Sequence, residues 1–237
     1  IITGINFHSN ITYPNLRSIA LVVWDLPLRI YHWLLVIFVF GAFITSEWND
    51  RSLHEFFGMA VLGLCIFRII WGFVGGPSAK FKNFIKPPSK IIAYLTLMLK
   101  RKSKSMAGHS PVGGLATIIL MSITSWFAVT GSISNDGILF EGPFAYLVPS
   151  VSQLATKLHQ NAEILLILIV VMHLSAITFY RLWLGQNLIP AMIRGSRDDK
   201  EGPGGRISTL HTVLGLGLLS FCLAAAFFAI MLKPSVF

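Results

Sequence analysis

Four histidines carry most of the chemistry that this sequence can offer. His32, His54, His159 and His173 all lie in or at the edge of strongly apolar stretches. An ionisable side chain inside a membrane span is costly, so each is a functional candidate before it is a packing residue. His159 and His173 are 14 residues apart, about 21 Å along a continuous helix and, at roughly 100° per residue, on nearly the same face. One helix would then present two ligands at two depths. His54 opens an apolar stretch on the side where His159 lies, and His32 stands a turn or two into a stretch that enters from the other side. The expected pairs are therefore His54 with His159 and His32 with His173. Two such pairs, about 20 Å apart, suit two non-covalently bound, six-coordinate haems. Bis-histidine ligation leaves no open position and suits electron transfer more than oxygen chemistry. Zinc fits less well, because it takes three or four clustered ligands.

Five further residues join the candidate site. Arg68 follows His54 by the same 14 residues, which puts it on the haem-facing side of its helix at the depth of the inner pair. Arg29 lies one turn before His32. Both suit haem propionates, since a cation at such depth needs an anion; the alternative is that they snorkel to lipid headgroups. Gly58, one turn after His54, gives a porphyrin room to approach the backbone, and equally suits close helix packing. His109 and His211 both fall near the inner face, where an imidazole can hydrogen-bond or protonate a quinone headgroup or serve a structural role.

These side chains must be positioned by helices. The chain has 237 residues, 54% hydrophobic and 12% charged, against about 25% charged in a typical soluble domain. Its apolar stretches reach the ~20 residues that cross a bilayer as helix, and a lipid-embedded segment must satisfy its own backbone hydrogen bonds. The fold expected is all-α, an integral membrane bundle of five transmembrane helices at about 25–46, 53–74, 112–133, 158–185 and 207–232. In this reading residues 1–24 form an N-terminal cytoplasmic segment, 25–206 a four-helix di-haem core, and 207–237 a fifth helix and C-terminus. Asp25 is a candidate N-cap, with Pro27 tolerated in the first turn.

The net charge of +9 does not point to nucleic acid, because its cations are arranged as topology signals. Lys80, Lys82, Lys86, Lys90, Lys100, Arg101, Lys102 and Lys104 occupy a loop without an acidic residue, and Arg194, Arg197, Lys200 and Arg206 lie in the loop before the fifth helix. The segment 134–157 carries Asp136 and Glu141 with a single basic residue. The positive-inside rule then places the N-terminus in the cytoplasm and the C-terminus outside. A short apolar stretch, 91–99, is too short to span and suits an interfacial amphipathic helix. Cys65 and Cys222 each stand alone, with no C-x-x-C-H for covalent haem.

Several motifs in order give the chain a resemblance to the bacterial cytochrome b561 family, which includes the b-type cytochrome subunits of nickel-iron hydrogenases. They are Trp24-Asp25-Leu26-Pro27-Leu28-Arg29-Ile30-Tyr31-His32-Trp33, His54 with Gly58, Arg68-Ile69-Ile70-Trp71-Gly72, Gly108-His109-Ser110-Pro111-Val112-Gly113-Gly114, and Asn187-Leu188-Ile189-Pro190 through Gly195. The resemblance implies two haem b groups on the same two histidine pairs and a redox partner such as a hydrogenase-type subunit. The fifth helix departs from the family's four-helix core and is a candidate for docking a partner.

The function expected is electron transfer across the bacterial inner membrane between an external carrier or partner subunit, such as a periplasmic cytochrome c, and the quinone pool. Alternatives are a self-contained quinone oxidoreductase that oxidises superoxide or another small external reductant, and an auxiliary haem-bearing subunit of a larger complex. No flavin, nicotinamide or iron–sulfur motif supports multi-step chemistry within this chain.

Overall fold

The structure, a computed structural model, describes residues 21–103, 106, 108–197 and 208–233. Most of the expected 1–24 segment, together with Lys104, Lys200 and Arg206, lies outside the described residues. Among the described residues, nine α-helices run in the order α1 (Leu26–Glu47), α2 (Arg51–Val74), α3 (Phe81–Phe84), α4 (Pro88–Leu99), α5 (Pro111–Ser132), α6 (Pro149–Asn161), α7 (Glu163–Leu184), α8 (Ile189–Arg194) and α9 (Thr209–Met231). Of these, α1, α2, α5, α7 and α9 are long and apolar enough to cross a membrane. The five-span expectation is met, and the chain is a multi-pass membrane protein. Large apolar side chains such as Ile37, Phe40, Phe73, Leu168, Leu182 and Phe221 are exposed around the bundle, a surface that hydrocarbon tolerates and water does not.

Local chemistry starts the helices where the sequence suggests. The Leu28 amide donates to Asp25 Oδ1 at 2.8 Å, with Pro27 in the first turn of α1. Asp50 accepts from Leu53 at 3.0 Å at the start of α2, and Ser110 from Gly113 at 3.1 Å at the start of α5. Each cap satisfies a donor that a helix leaves unpaired in its first turn.

The fourth expected span differs. The stretch expected as one helix over 158–185 is divided at Ala162, so that His159 belongs to α6 and His173 to α7. The two histidines are therefore not ligands on one continuous helix. α6 begins well before the expected boundary, at Pro149, inside the segment read as a loop.

The centre of the bundle is α2, whose Ala60, Leu64 and Phe67 are fully buried and which packs against α1, α5 and α9. Lipid tails are as apolar as leucine, so close approach of backbones, and not hydrophobic exclusion, sets these contacts. At Gly63 a Cβ would lie 2.8 Å from the Cys222 carbonyl oxygen and 3.2 Å from Ala226. At Gly215 one would lie 2.5 Å from the Trp71 ring. The fifth helix, α9, is thus built into the core beside α2.

One end of the bundle is basic and closed by short elements. Two-residue strands β1 (Leu21–Val22) and β2 (Ser196–Arg197) pair antiparallel, and the Gly195 carbonyl accepts from Val23 and Trp24 at 2.7 and 3.1 Å. This draws α8 onto the start of α1. α4 buries Tyr94 and Met98 against Tyr180 and leaves Lys90 and Ile92 exposed.

Candidate functional site

The His54–His159 pair lies at the end opposite the basic one. His54 stands in the first turn of α2, and its Nδ1 donates to the Ala42 carbonyl at 2.8 Å. Across from it, His159 Nδ1 donates to the Phe127 carbonyl at 3.1 Å, with Thr130 Oγ1 at 3.3 Å. Each ring thereby commits Nδ1 to the backbone and leaves Nε2 as the nitrogen with a lone pair. This is the arrangement in which a second ring N–H orients a metal-ligating imidazole. The ring centroids are 6.0 Å apart and the planes inclined at 77°. Two imidazoles bound to opposite faces of one metal, at about 2 Å per bond, adopt a separation of about 6 Å. Burial, and then the facing His54, push the His159 imidazole below its ordinary pKa range, which keeps it neutral.

Both rings border a cavity of roughly 370 Å³ shared by α1, α2, α5, α6 and α7, with Val39, Gly58, Phe127 and Leu166 among its walls, a volume in the ~300–1,000 Å³ range of cofactor sites. A Cβ at Gly58 would meet nothing within 4 Å, so this glycine faces open space on the cavity wall and does not serve helix packing. At Gly131 a Cβ would lie 2.9 Å from His159 Cε1; that glycine makes room for the ring. Among the described residues no group of three or more His, Cys, Asp or Glu could hold a bare metal ion. A planar tetrapyrrole supplies four donors of its own, and two axial imidazoles then suffice. The donor set and the open glycine wall fit such a group. A shallower groove of roughly 540 Å³ along Leu174, Thr178 and Leu182 faces outward, and those apolar and hydroxyl side chains offer no metal ligand.

His32 and His173 show a weaker association than the first pair. They stand on α1 and α7 within electrostatic reach of each other, and His32 Nδ1 is buried without a partner. Arg68 does not snorkel. It is 2% exposed, lies over the rings of Phe81 and Phe84 at 5.0 and 5.8 Å, and donates Nη1 to the Ala79 carbonyl at 3.2 Å. Its Nη2 is buried with no partner. Arg29 donates Nη1 to the Ile193 carbonyl, and its Nε is likewise buried and unpartnered. A buried donor left in this state costs about 1–3 kcal/mol, more when charged, so both guanidiniums have unused capacity for an anion.

His109 and His211 lie at the same basic end. The His109 ring sits 4.6 Å from Trp24 and 4.4 Å from Phe84. Burial, reinforced by the Arg68 charge, pushes its imidazole down to about 3, so it is neutral at physiological pH. His211 lies 4.9 Å from Trp71. His109 Nδ1 and His211 Nε2 are both buried and unpartnered. Asp25 ties this region together in a way its N-cap role alone does not suggest. Its carboxylate accepts from Trp71 Nε1 at 3.1 and 3.3 Å, from the Gly76 amide at 3.3 Å and from Leu28. The carbonyls of Ala42 and Phe127, Thr130 and Gly131 are the other contributors that sequence reasoning missed. The carbonyls are backbone atoms and leave no signature in residue type.

A family model described as prokaryotic cytochrome b561 matches residues 23–195. A probable Ni/Fe-hydrogenase B-type cytochrome subunit of Azotobacter chroococcum mcd 1 is 25% identical over 221 residues, covering 78% of this chain and 91% of its own length. No solved structure matches.

Proposed function

The chain belongs to the prokaryotic cytochrome b561 family, whose members are membrane b-type cytochromes of electron transfer, and from that premise we propose that it conducts electrons between an external partner and the quinone pool through two haem b groups. The observation that carries this reading is the His54–His159 pair, with Nδ1 of each ring tied to a carbonyl and the centroids 6.0 Å apart beside a cavity. Bound haem b supplies a one-electron iron couple, and bis-histidine ligation leaves it no open coordination position.

In this reading His54 and His159 hold the outer haem, and His32 and His173 the inner one. The Ala42 and Phe127 carbonyls fix the outer rings in the tautomer that presents Nε2. Arg68 and Arg29 neutralise propionates at the inner level, where their unpartnered nitrogens donate to carboxylate oxygens. Gly58 lets the ring system lie close to α2. His109 and His211, each with a buried free nitrogen beside aromatic rings, offer hydrogen bonds to a quinone headgroup at the inner end.

The basic end, with Lys82, Lys90, Lys100 and Arg101 exposed, faces the cytoplasm by the positive-inside rule, so the described chain starts inside and ends outside. The external partner is a hydrogenase-type subunit, as the name of the Azotobacter relative suggests, or a periplasmic cytochrome c. Carrying an electron inward against an inside-negative potential costs about 2.3 kcal/mol per 100 mV, which favours a strongly reducing donor for that direction.

The test is a dithionite-reduced minus oxidised spectrum of the purified protein with pyridine haemochrome quantification. Two haems per chain are expected, falling to one in His54→Ala and in His173→Ala. Protein without haem, or an unchanged stoichiometry in both variants, contradicts the assignment.

A further inference from the structure

We infer that Lys233, just beyond the end of α9, is a positioning residue for the His54–His159 site, acting through Glu55 to set the charge beside it. The inference rests on the reading of that pair as haem ligands. Lys233 Nζ lies 3.1 Å from Glu55 Oε1, with the two side chains only 25% and 14% exposed. It also stands 5.3 Å from the centroid of the Phe140 ring. Glu55 follows His54 directly in the chain, and Glu55 and Phe140 both line the cavity into which the two histidines face.

The lysine is placed there by helix packing and not by a free chain end. Phe227 of α9 stacks on Phe56 of α2 with centroids 4.7 Å apart and planes at 13°. The close approach of Gly63 to Cys222 and Ala226 fixes the same two helices a further two turns along. A fully exposed pair of this kind is worth little and is screened by salt. This one is mostly covered, at the rim of a low-dielectric bundle where a lone charge acts more strongly and over a longer range. The family match ends at residue 195, so neither α9 nor Lys233 is part of what that match covers.

With both partners present the local charge is zero. Without Lys233 it is negative, which favours the oxidised, more positive state of a neighbouring redox centre and lowers its midpoint. Without Glu55 it is positive, and the midpoint rises. A merely structural strut makes no such distinction in sign.

The experiment is a potentiometric optical titration of the full-length protein, carried with its bound haem, as wild type, Lys233→Met, Glu55→Gln, the double variant and Lys233→Arg. The outer component is identified as the one lost in His54→Ala. Lys233→Met is expected to disfavour reduction of that component by up to about tenfold, or about 59 mV for one electron. Glu55→Gln is expected to shift it the opposite way, and the double variant and Lys233→Arg to return near wild type. Shifts of the same sign in both single variants, or no shift in either while both haems are retained, overturn the inference and leave the haem assignment standing. A wild-type protein with no component that depends on His54 overturns both.

Discussion

Gly58 offers the sharpest test of the outer site, because the structure separates its two possible roles by sign. A methyl group at this position meets nothing within 4 Å, so Gly58→Ala introduces no clash in the chain itself. Replacing glycine by alanine in a helix interior gains about 0.8–1.0 kcal/mol of propensity. Haem-free protein should therefore become more stable by about 1 kcal/mol. The added methyl projects into the cavity between His54 and His159, where it overpacks any bound ring system at a cost of about 1–3 kcal/mol. Haem affinity at the outer site should fall by about 5-fold to 150-fold by that penalty. Gly58→Phe, which adds a ring, should exclude the outer haem and reduce the stoichiometry by one. Pyridine haemochrome analysis gives the haem content, and denaturant titration of the haem-free protein in detergent gives the stability. A Gly58→Ala variant that is less stable without haem, or a Gly58→Phe variant that keeps full haem content, refutes the argument.

Three further outcomes follow from the same geometry. Gly63→Ala should do the reverse of Gly58→Ala: its Cβ would lie 2.8 Å from the Cys222 carbonyl oxygen, a backbone atom that cannot swing away, so thermal melting should fall by the equivalent of about 1–3 kcal/mol with haem content unchanged. Arg68→Leu removes a buried cation whose Nη2 has no partner; it should leave the haem-free fold intact and lower the midpoint of one haem component, and unchanged midpoints for both would show that Arg68 does not face a haem. The Asp136 carboxylate is held at about 2 by the amides of Phe140, Ile138 and Leu139. Because this folded-state value lies below the ordinary 3.8, the contribution is fully present above that value and is lost as pH falls toward about 2. Hydrogen exchange of those three amides should therefore accelerate across that interval, and Asp136→Ala should show the fast exchange already at neutral pH.

The sequence foretells what depends on local pattern. The five apolar spans, the Asp25 cap with Pro27 and the meeting of His54 with His159 all follow from composition and spacing, and the structure has each of them. The division at Ala162 is different. Residues 149–161 form an amphipathic helix interspersed with Ser, Gln, Thr and one Lys, so a search for apolar stretches passes over it, although Pro149 in its first turn is a helix-start signal. The Glu55–Lys233 pair joins positions 178 apart, and only the packing of α9 along α2 brings them together. Asp25 illustrates the middle case. Its cap is legible, whereas its bonds to Trp71 and Gly76 depend on how α2 ends.

The placement of unsatisfied polar groups distinguishes the two ends of the bundle. Buried polar atoms are costly in hydrocarbon, and proteins pair nearly all of them. At the His54–His159 end the ring Nδ1 atoms have carbonyls and Glu55 has Lys233. At the basic end Arg29 Nε, His32 Nδ1, Arg68 Nη2, His109 Nδ1 and His211 Nε2 are all buried without partners. The two guanidinium nitrogens can only donate, whereas each neutral imidazole nitrogen donates or accepts according to its tautomer. The two guanidinium donors are complementary to oxygen acceptors. Carboxylates of a haem edge and the carbonyl oxygens of a quinone both meet that requirement. This asymmetry supports the proposal that the guanidiniums of Arg68 and Arg29 face the anionic edge of the inner haem.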